Sequence, residues 1–204
     1  HSIGKTYLGI GEYERGREVL QSAFKVRHQQ LGRTNNDTLS SQNGLAYAIA
    51  RCGEPKTALP MFHEVFEYRK SNLGEGHPDT QTVAINIGMC QLKLGGRNEA
   101  REIFERIIWL NENGYPSEPV DWQIVLGFMS TTYMHDGRTD EGIELLQQVY
   151  QIRSETMGTN HPRTLNALEN LATIYRMMDS RERAVPVWEK IVDGRSARQG
   201  DLHP

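Results

Sequence analysis

Cysteine, net charge and long apolar runs are all scarce in this 204-residue chain. The only two cysteines, Cys52 and Cys90, have no CxxC or other ligand-like spacing, which favours two reduced and mostly buried thiols. A formal net charge of −3 argues against bulk attraction to nucleic acid or to an anionic membrane. No apolar run approaches the roughly 18 residues that a membrane helix needs. We therefore expect an intracellular, cytoplasmic protein with neither nucleic acid nor membrane as a partner.

The chain also lacks the alternation of apolar and polar residues that is typical of strands. Leu, Ala, Glu, Gln and Arg instead fill long stretches, and the eight prolines fall largely between them. Segments 58–72 and 98–112 place apolar residues at i, i+3, i+4 and i+7, which is the period of a helix face. The sequence predicts an all-α protein.

An internal repeat with a step of 42 residues organises these helices. One column of the repeat is aliphatic or Met in every unit: Ile3, Leu45, Ile87, Met129 and Leu171. The next column is always small: Gly4, Ala46, Gly88, Ser130 and Ala172. A second small column is Gly16, Ala58, Ala100, Gly142 and Ala184. Small residues on two antiparallel helices let the backbones approach closely, so each unit is predicted to be a helical hairpin that stacks on its neighbours.

Glycines mark the turns of this repeat. Gly11, Gly53, Gly95 and Gly137 hold equivalent positions, with Asp179 as the exception in the last unit. They are predicted to supply the left-handed residue that ends the first helix of each hairpin. Apolar pairs such as Met61-Phe62 and Val187-Trp188 are predicted to fill the seam of the hairpin.

A His-Pro dipeptide recurs with the same step, in "LGEGHPDT" (73–80), "MGTNHPRT" (157–164) and at His203-Pro204. Three histidines could be metal ligands or could mark helix starts. Proline is favoured at the first helical position, and the residue before it is well placed to cap the helix. Whole hairpins separate the three histidines, so they cannot converge on one ion. We expect helix starts and no metal site.

The columns resemble the tetratricopeptide repeat, in the 42-residue form seen in kinesin light chains. The match is clearest in "TLNALENLATIY" (164–175), with Asn170-Leu171-Ala172 and Tyr175 in the expected places. The resemblance covers essentially the whole chain and implies an α-solenoid, a right-handed superhelix of about ten helices in stacked antiparallel pairs. It implies one repeat domain, 1–204, with these units: 1–32 (truncated), 33–74, 75–116, 117–158 and 159–200, while 201–204 would start a further unit. The truncated ends suggest a piece of a longer array.

The third turn departs from the pattern, since "NGYPSEPVDW" (113–122) replaces the usual sequence. Phe128 also stands where the neighbouring units have Asn86 and Asn170. These departures leave the geometry of that unit open.

In this family the first helix of each hairpin lines a concave groove, which implies a set of candidate peptide-binding residues. They are Lys5, Tyr47, Arg51, Asn86, Met89, Lys93, Phe128, His135, Asn170, Thr173 and Arg176. Asn amides can donate to and accept from an extended peptide backbone, and cationic side chains attract carboxylates. Two alternatives stay open: the basic residues could merely complement helix dipoles, and Phe128 could be core filler beside Gly127.

The sequence contains no complete enzyme motif. "HEVFE" (63–67) has Glu67 where the zinc-protease motif needs its second histidine. No phosphate-binding or nucleophile-elbow motif is present. We predict no catalysis, no cofactor and no metal.

The main hypothesis is a protein-interaction scaffold that binds a short, extended segment of a partner carrying acidic and apolar residues. The alternative is a sensor or regulatory array within a larger signalling protein, for example a nucleotide-switch ATPase. Self-association through the end hairpins is a third possibility, and the sequence leaves the oligomeric state open.

Overall fold

The computed structural model describes residues 2–114 and 123–200, and these residues form ten helices and no strand. The helices are α1 (Ser2–Gly9), α2 (Tyr13–Leu31), α3 (Asn36–Arg51), α4 (Pro55–Leu73), α5 (Pro78–Leu94), α6 (Arg97–Glu112), α7 (Gln123–His135), α8 (Thr139–Met157), α9 (Pro162–Met177) and α10 (Arg181–Gly200). The chain divides into two compact units: unit 1, residues 1–120, with α1 to α6, and unit 2, residues 121–204, with α7 to α10. Within each unit every helix packs chiefly on the helices before and after it.

The 42-residue step is visible in the helix boundaries. The second helices of the hairpins begin at Tyr13, Pro55, Arg97, Thr139 and Arg181, each 42 residues after the last. The predicted turn glycines Gly11, Gly53, Gly95 and Gly137 all have positive φ, between 78° and 94°. Asp179 adopts the same left-handed conformation with φ 55°, which aspartate adopts more readily than most other residues except glycine. The predicted role of this column is confirmed.

The small-residue columns lie where two helices of a hairpin meet. A Cβ atom added to Gly88 on α5 would lie 2.5 Å from a ring carbon of Phe104 on α6. In unit 2, a Cβ on Gly142 would lie 2.9 Å from the backbone oxygen of Ser130. Both distances are far inside van der Waals contact, so a side chain at either glycine would require the ring of Phe104 or the backbone at Ser130 to shift.

The seam residues form the core of each hairpin. The equivalent side chains Leu20, Phe62, Phe104 and Leu146 are all 0–1% exposed. Trp188 occupies the same position in α10 but is 39% exposed, so the prediction that it fills the seam was wrong. Val187 beside it is half-buried and packs against the core of unit 2, so one residue of the predicted Val187-Trp188 pair lies in the seam.

The recurring histidines cap helices. His77 has extended backbone angles before α5, and its Nδ1 accepts a hydrogen bond from the backbone N–H of Asp79 at 3.1 Å. His161 does the same before α9, accepting from the N–H of Arg163 at 3.2 Å. Asn35 holds the equivalent place before α3 and accepts from Asp37 at 2.9 Å. Helix capping therefore explains the histidines of the two His-Pro pairs that the structure describes. His203, Pro204 and the altered turn at 115–122 lie outside the described residues.

Arginines at one position of the repeat tie each second helix to the next first helix. Arg27, Arg69 and Arg153 each donate to the backbone oxygen of the residue ten positions later, at 3.1, 3.1 and 2.9 Å. Arg69 is only 4% exposed and also donates to the hydroxyl of Ser40. Because each acceptor lies in the first turn of a helix, these bonds fix how α2, α4 and α8 meet their successors.

Replacing a capping histidine tests this account of the His-Pro motif. His77→Ala should lower the free energy of unfolding by about 1 kcal/mol, because the N–H of Asp79 loses its acceptor. His77→Asn should retain most of the stability, since Asn35 caps α3 in the same way. The measurement is urea unfolding followed by circular dichroism. Equal stability of His77→Ala and the unsubstituted chain would contradict the capping role.

Candidate peptide-binding surfaces

Five of the predicted binding residues come together in unit 1. Tyr47 and Arg51 on α3 and Asn86, Met89 and Lys93 on α5 lie around one narrow crevice, and we call these five residues the α3–α5 surface. The helical spacings i, i+4 on α3 and i, i+3, i+7 on α5 put them on facing stripes of the two helices. The crevice has a volume of about 10 Å³, roughly what one water molecule needs. The crevice beside Tyr47 and Met89 is therefore too small to take a side chain.

Asn86 joins the two helices of this surface. Its Nδ2 donates to Oδ1 of Asn43 on α3 at 3.3 Å, and the residue is 9% exposed. The bond explains an asparagine in the middle of a helix, where its intrinsic propensity is unfavourable. A peptide that used the Asn86 amide would have to bind beside this bond or replace it.

The cationic side chains of the α3–α5 surface also have partners within the fold. Lys93 Nζ donates to the backbone oxygen of Ala50 at 3.0 Å, in the last turn of α3. Arg51 donates to the hydroxyl of Tyr13 at 2.7 Å and stacks on the Tyr13 ring, 4.7 Å from its centroid. A lysine beside carbonyls at a helix C-terminus is favoured by the helix dipole. Both side chains remain exposed, so their charges also face solvent.

Cys90 lines the same crevice but does not have the character of a nucleophile. The residue is 1% exposed, and burial raises the pKa of its thiol above the usual value. A thiol with a raised pKa carries little thiolate at neutral pH, and the thiolate is the reactive form.

Unit 2 contains a larger cavity, and three of the predicted residues line it. His135 on α7 and Asn170 and Thr173 on α9 lie at a cavity of about 280 Å³, which we call the α7–α9 cavity. Its other lining residues are mainly apolar or small: Gly127, Ser130, Met134, Leu146, Ile174 and Met177. His135 and Asn170 are exposed, while the Thr173 hydroxyl donates to the backbone oxygen of Glu169 at 2.8 Å. The cavity thus combines an apolar lining with imidazole and amide groups open to solvent.

Three predicted residues line neither of these surfaces. Lys5 on α1 and Arg176 in the last turn of α9 are exposed, and Phe128 on α7 is half-buried. Their assignment to a binding groove stays a prediction.

Sequence reasoning missed the partners that hold the predicted residues in place. Asn43 could have been found by the argument used for Asn86, because it too is an asparagine inside a helix. Tyr13 had no such signal, since its contact with Arg51 joins helices separated by 38 positions in the sequence. Gly127 was noticed only as the neighbour of Phe128, yet it lines the α7–α9 cavity.

Among the residues that the structure describes, no group of three His, Cys, Asp or Glu side chains is arranged to hold a metal ion. Within residues 2–114 and 123–200, no helix is both long and apolar enough to cross a membrane.

Residues 37–108 and 124–195, more than half of the chain, match the family model described as tetratricopeptide repeat. The chain belongs to the tetratricopeptide repeat family. Protein kinesin light chain-related 2 of Arabidopsis thaliana is 25% identical over 181 residues, which is 85% of this chain and 26% of that protein. This chain therefore spans about a quarter of the length of that tetratricopeptide relative.

Solved structures of other tetratricopeptide proteins share the fold. The kinesin light chain TPR-like repeats of Podosopora anserina align with a TM-score of 0.76 and 23% identity over 98% of this chain and 94% of theirs. BtubC (BKLC) from P. vanneervenii aligns with a TM-score of 0.77 and 16% identity, over 98% of this chain and 80% of its own. The predicted kinesin-light-chain-like, all-α solenoid is confirmed. The division into the repeat units predicted above stays a prediction.

Replacing Lys93 tests whether the basic residues of the α3–α5 surface contribute to stability. Lys93→Met should lower the free energy of unfolding by roughly 0.5–1 kcal/mol, because the backbone oxygen of Ala50 loses a charged donor. Lys56→Met, at an exposed position on α4, is the matched control and should change it by less than about 0.5 kcal/mol. Chemical denaturation of both variants measures the difference. If the two variants were equally stable, Lys93 would have no structural role.

Proposed function

We propose that this chain captures an extended, acidic peptide segment of a partner protein on the first-helix faces of its hairpins. Tetratricopeptide repeats are protein-interaction scaffolds, and that general role applies to this chain. The observation that carries the finer proposal is the α7–α9 cavity, where His135, Asn170 and Thr173 meet an apolar lining. The proposed activity is binding alone, with no chemistry on the bound segment.

The α7–α9 cavity supplies an anchor in this proposal. Its volume of about 280 Å³ and apolar residues such as Met134 and Ile174 suit one aromatic or aliphatic side chain. The exposed Asn170 amide can donate to and accept from a peptide backbone at the same time. Backbone capture next to a side-chain pocket is a recurrent way to recognise an extended peptide.

The α3–α5 surface supplies charge. Arg51 and Lys93 are exposed cations whose internal partners, a phenol and a backbone carbonyl, are neutral. A peptide carboxylate would therefore meet uncompensated positive charge in an otherwise acidic protein. Contacts between exposed charges contribute modestly and weaken as salt rises. Binding to this surface of unit 1 should consequently depend on ionic strength, whereas at the α7–α9 cavity of unit 2 the apolar anchor should supply most of the affinity.

Selection from a random peptide library tests this function. We expect enrichment of acidic peptides that contain an aromatic or aliphatic residue. Titration of an enriched peptide should show binding that weakens as the salt concentration rises. The double substitution Asn86→Ala with Asn170→Ala should weaken peptide binding about fivefold in each unit, because each unit loses roughly one hydrogen bond to the peptide backbone.

The control for this experiment is Asn98→Ala, at an exposed position on the second helix α6. It should leave peptide binding unchanged, and circular dichroism should show that all variants keep their helices. Unaltered affinity of the Asn86→Ala, Asn170→Ala variant would contradict the proposed location. Failure to enrich any peptide would contradict the proposed function itself.

A further inference from the structure

A second cavity in unit 1 lies outside every residue predicted to bind a ligand. It has a volume of about 290 Å³ and lies over α5, between residues of α4 and α6; we call it the α4–α6 cavity. Its apolar lining residues are Phe66, Ala84, Ile87, Ile103, Ile107 and Leu110. Ile107 and Leu110 are buried, whereas Phe66 and Ile103 are half-buried and form accessible apolar walls.

One position of the repeat that lines the cavity carries a short side chain. Ala84 lies on α5, and the residues 42 positions before and after it are Gln42 and Leu126, with Leu168 a further 42 positions on. These three longer side chains are 2%, 1% and 3% exposed. In the preceding hairpin Gln42 fills the equivalent space, and its Nε2 donates to the backbone oxygen of Met61 on α4 at 3.4 Å. Ala84 leaves that space empty.

The polar lining of the cavity is acidic. It includes the carboxylates of Glu67, Glu75 and Glu102, but only one guanidinium, that of Arg106. Arg106 donates to Glu75 at 2.8 Å and lowers the pKa of that carboxyl, which therefore stays ionised. Glu67 and Glu102 are exposed, and neither takes part in an ion pair within the described residues.

This acidic lining is specific to one interval of the repeat. The residues 42 positions before Glu67, Glu75 and Glu102 are Lys25, Arg33 and Pro60. The ion pair at the edge of the cavity is reversed as well. Glu75 pairs with Arg106 at the cavity, whereas Arg33 pairs with Glu64 at the equivalent positions of the preceding interval. An open apolar cavity and a negative edge thus coincide at the same place, and the preceding interval does not carry these three carboxylates.

We propose that the α4–α6 cavity is a second docking site, which takes a large apolar side chain flanked by basic residues on a partner segment. The volume suits one aromatic or branched side chain, and the exposed carboxylates of Glu67 and Glu102 select for positive charge beside it. The site goes beyond the proposed function, because its lining residues and the sign of its charge both differ from those of the first-helix surfaces. The first-helix surfaces bind an acidic segment, whereas the α4–α6 cavity binds a basic one.

Three capped tripeptides test the site: Lys-Trp-Lys, Glu-Trp-Glu and Lys-Gly-Lys. Each is titrated into the isotopically labelled chain, and amide chemical-shift changes locate the binding. We expect Lys-Trp-Lys to shift amides of α4, α5 and α6 around the cavity, with a dissociation constant in the millimolar range. Glu-Trp-Glu and Lys-Gly-Lys should bind there at least about fivefold more weakly, since one lacks the charge and the other the anchor.

Two substitutions close the cavity without opening the core. Ala84→Leu and Ala84→Gln place at this position the side chains that equivalent positions already carry, so both variants should fold. Each should weaken Lys-Trp-Lys binding about tenfold or more, because the side chain fills the space of the ligand. The double substitution Glu67→Gln with Glu102→Gln should weaken it about threefold and remove its salt dependence. Glu105→Gln, exposed on α6 outside the lining, is the matched control.

Each remaining outcome overturns the proposal. Equal binding of Glu-Trp-Glu at this cavity would show that charge does not select the ligand. Unchanged Lys-Trp-Lys binding in Ala84→Leu would place the peptide elsewhere. If sedimentation showed a dimer that Ala84→Leu dissociates, the occupant would be a second copy of this chain. None of these results bears on capture of acidic peptides by the first-helix surfaces, so the two proposals fail independently.

Discussion

The close approach of paired helices is the constraint on which the rest of this structure depends. Gly88 lies so near Phe104 that a Cβ atom would be 2.5 Å from the ring, and Gly142 is as tightly placed against the backbone of Ser130. Each contact draws two helices together and buries a large seam residue between them, such as Phe62 or Phe104. A bulky side chain at the small positions would separate the pair and expose that residue. The hairpin, and every surface built on it, follows from these contacts.

Turns and caps then set where each helix begins and ends. A left-handed residue ends the first helix, and His77, His161 or Asn35 caps the helix that opens the next hairpin. The arginines at 27, 69 and 153 fix the junction by bonding the first turn of that helix. Because these devices repeat with the same step, side chains at equivalent positions are presented in equivalent places. A surface of the protein can then change through substitution at a single position. The long side chain of Gln42 and the short side chain of Ala84, at equivalent positions, illustrate this.

The fold could be predicted from the sequence because the residues that constrain it recur periodically. Small columns recur five times at a fixed spacing, turn glycines four times and His-Pro pairs three times, so each occurrence tests the same inference again. The candidate binding surfaces were harder to predict, because they depend on contacts between helices that the repeat pattern does not encode. Lys93 and Arg51 were recognised as cations, but their bonds to Ala50 and Tyr13 depend on side-chain reach across a helix interface. Trp188 was misjudged because its position in the repeat does not fix its burial: Trp188 is 39% exposed, whereas Phe104 is fully buried at the equivalent position of α6.

Recognition of an acidic segment by the first-helix faces can be tested by amide hydrogen exchange with and without a peptide selected from the library. We expect slower exchange in α3 and α5 of unit 1 and in α7 and α9 of unit 2, with α4 and α6 unaffected. Protection confined to the second helices, or no protection while the peptide is bound, would contradict it.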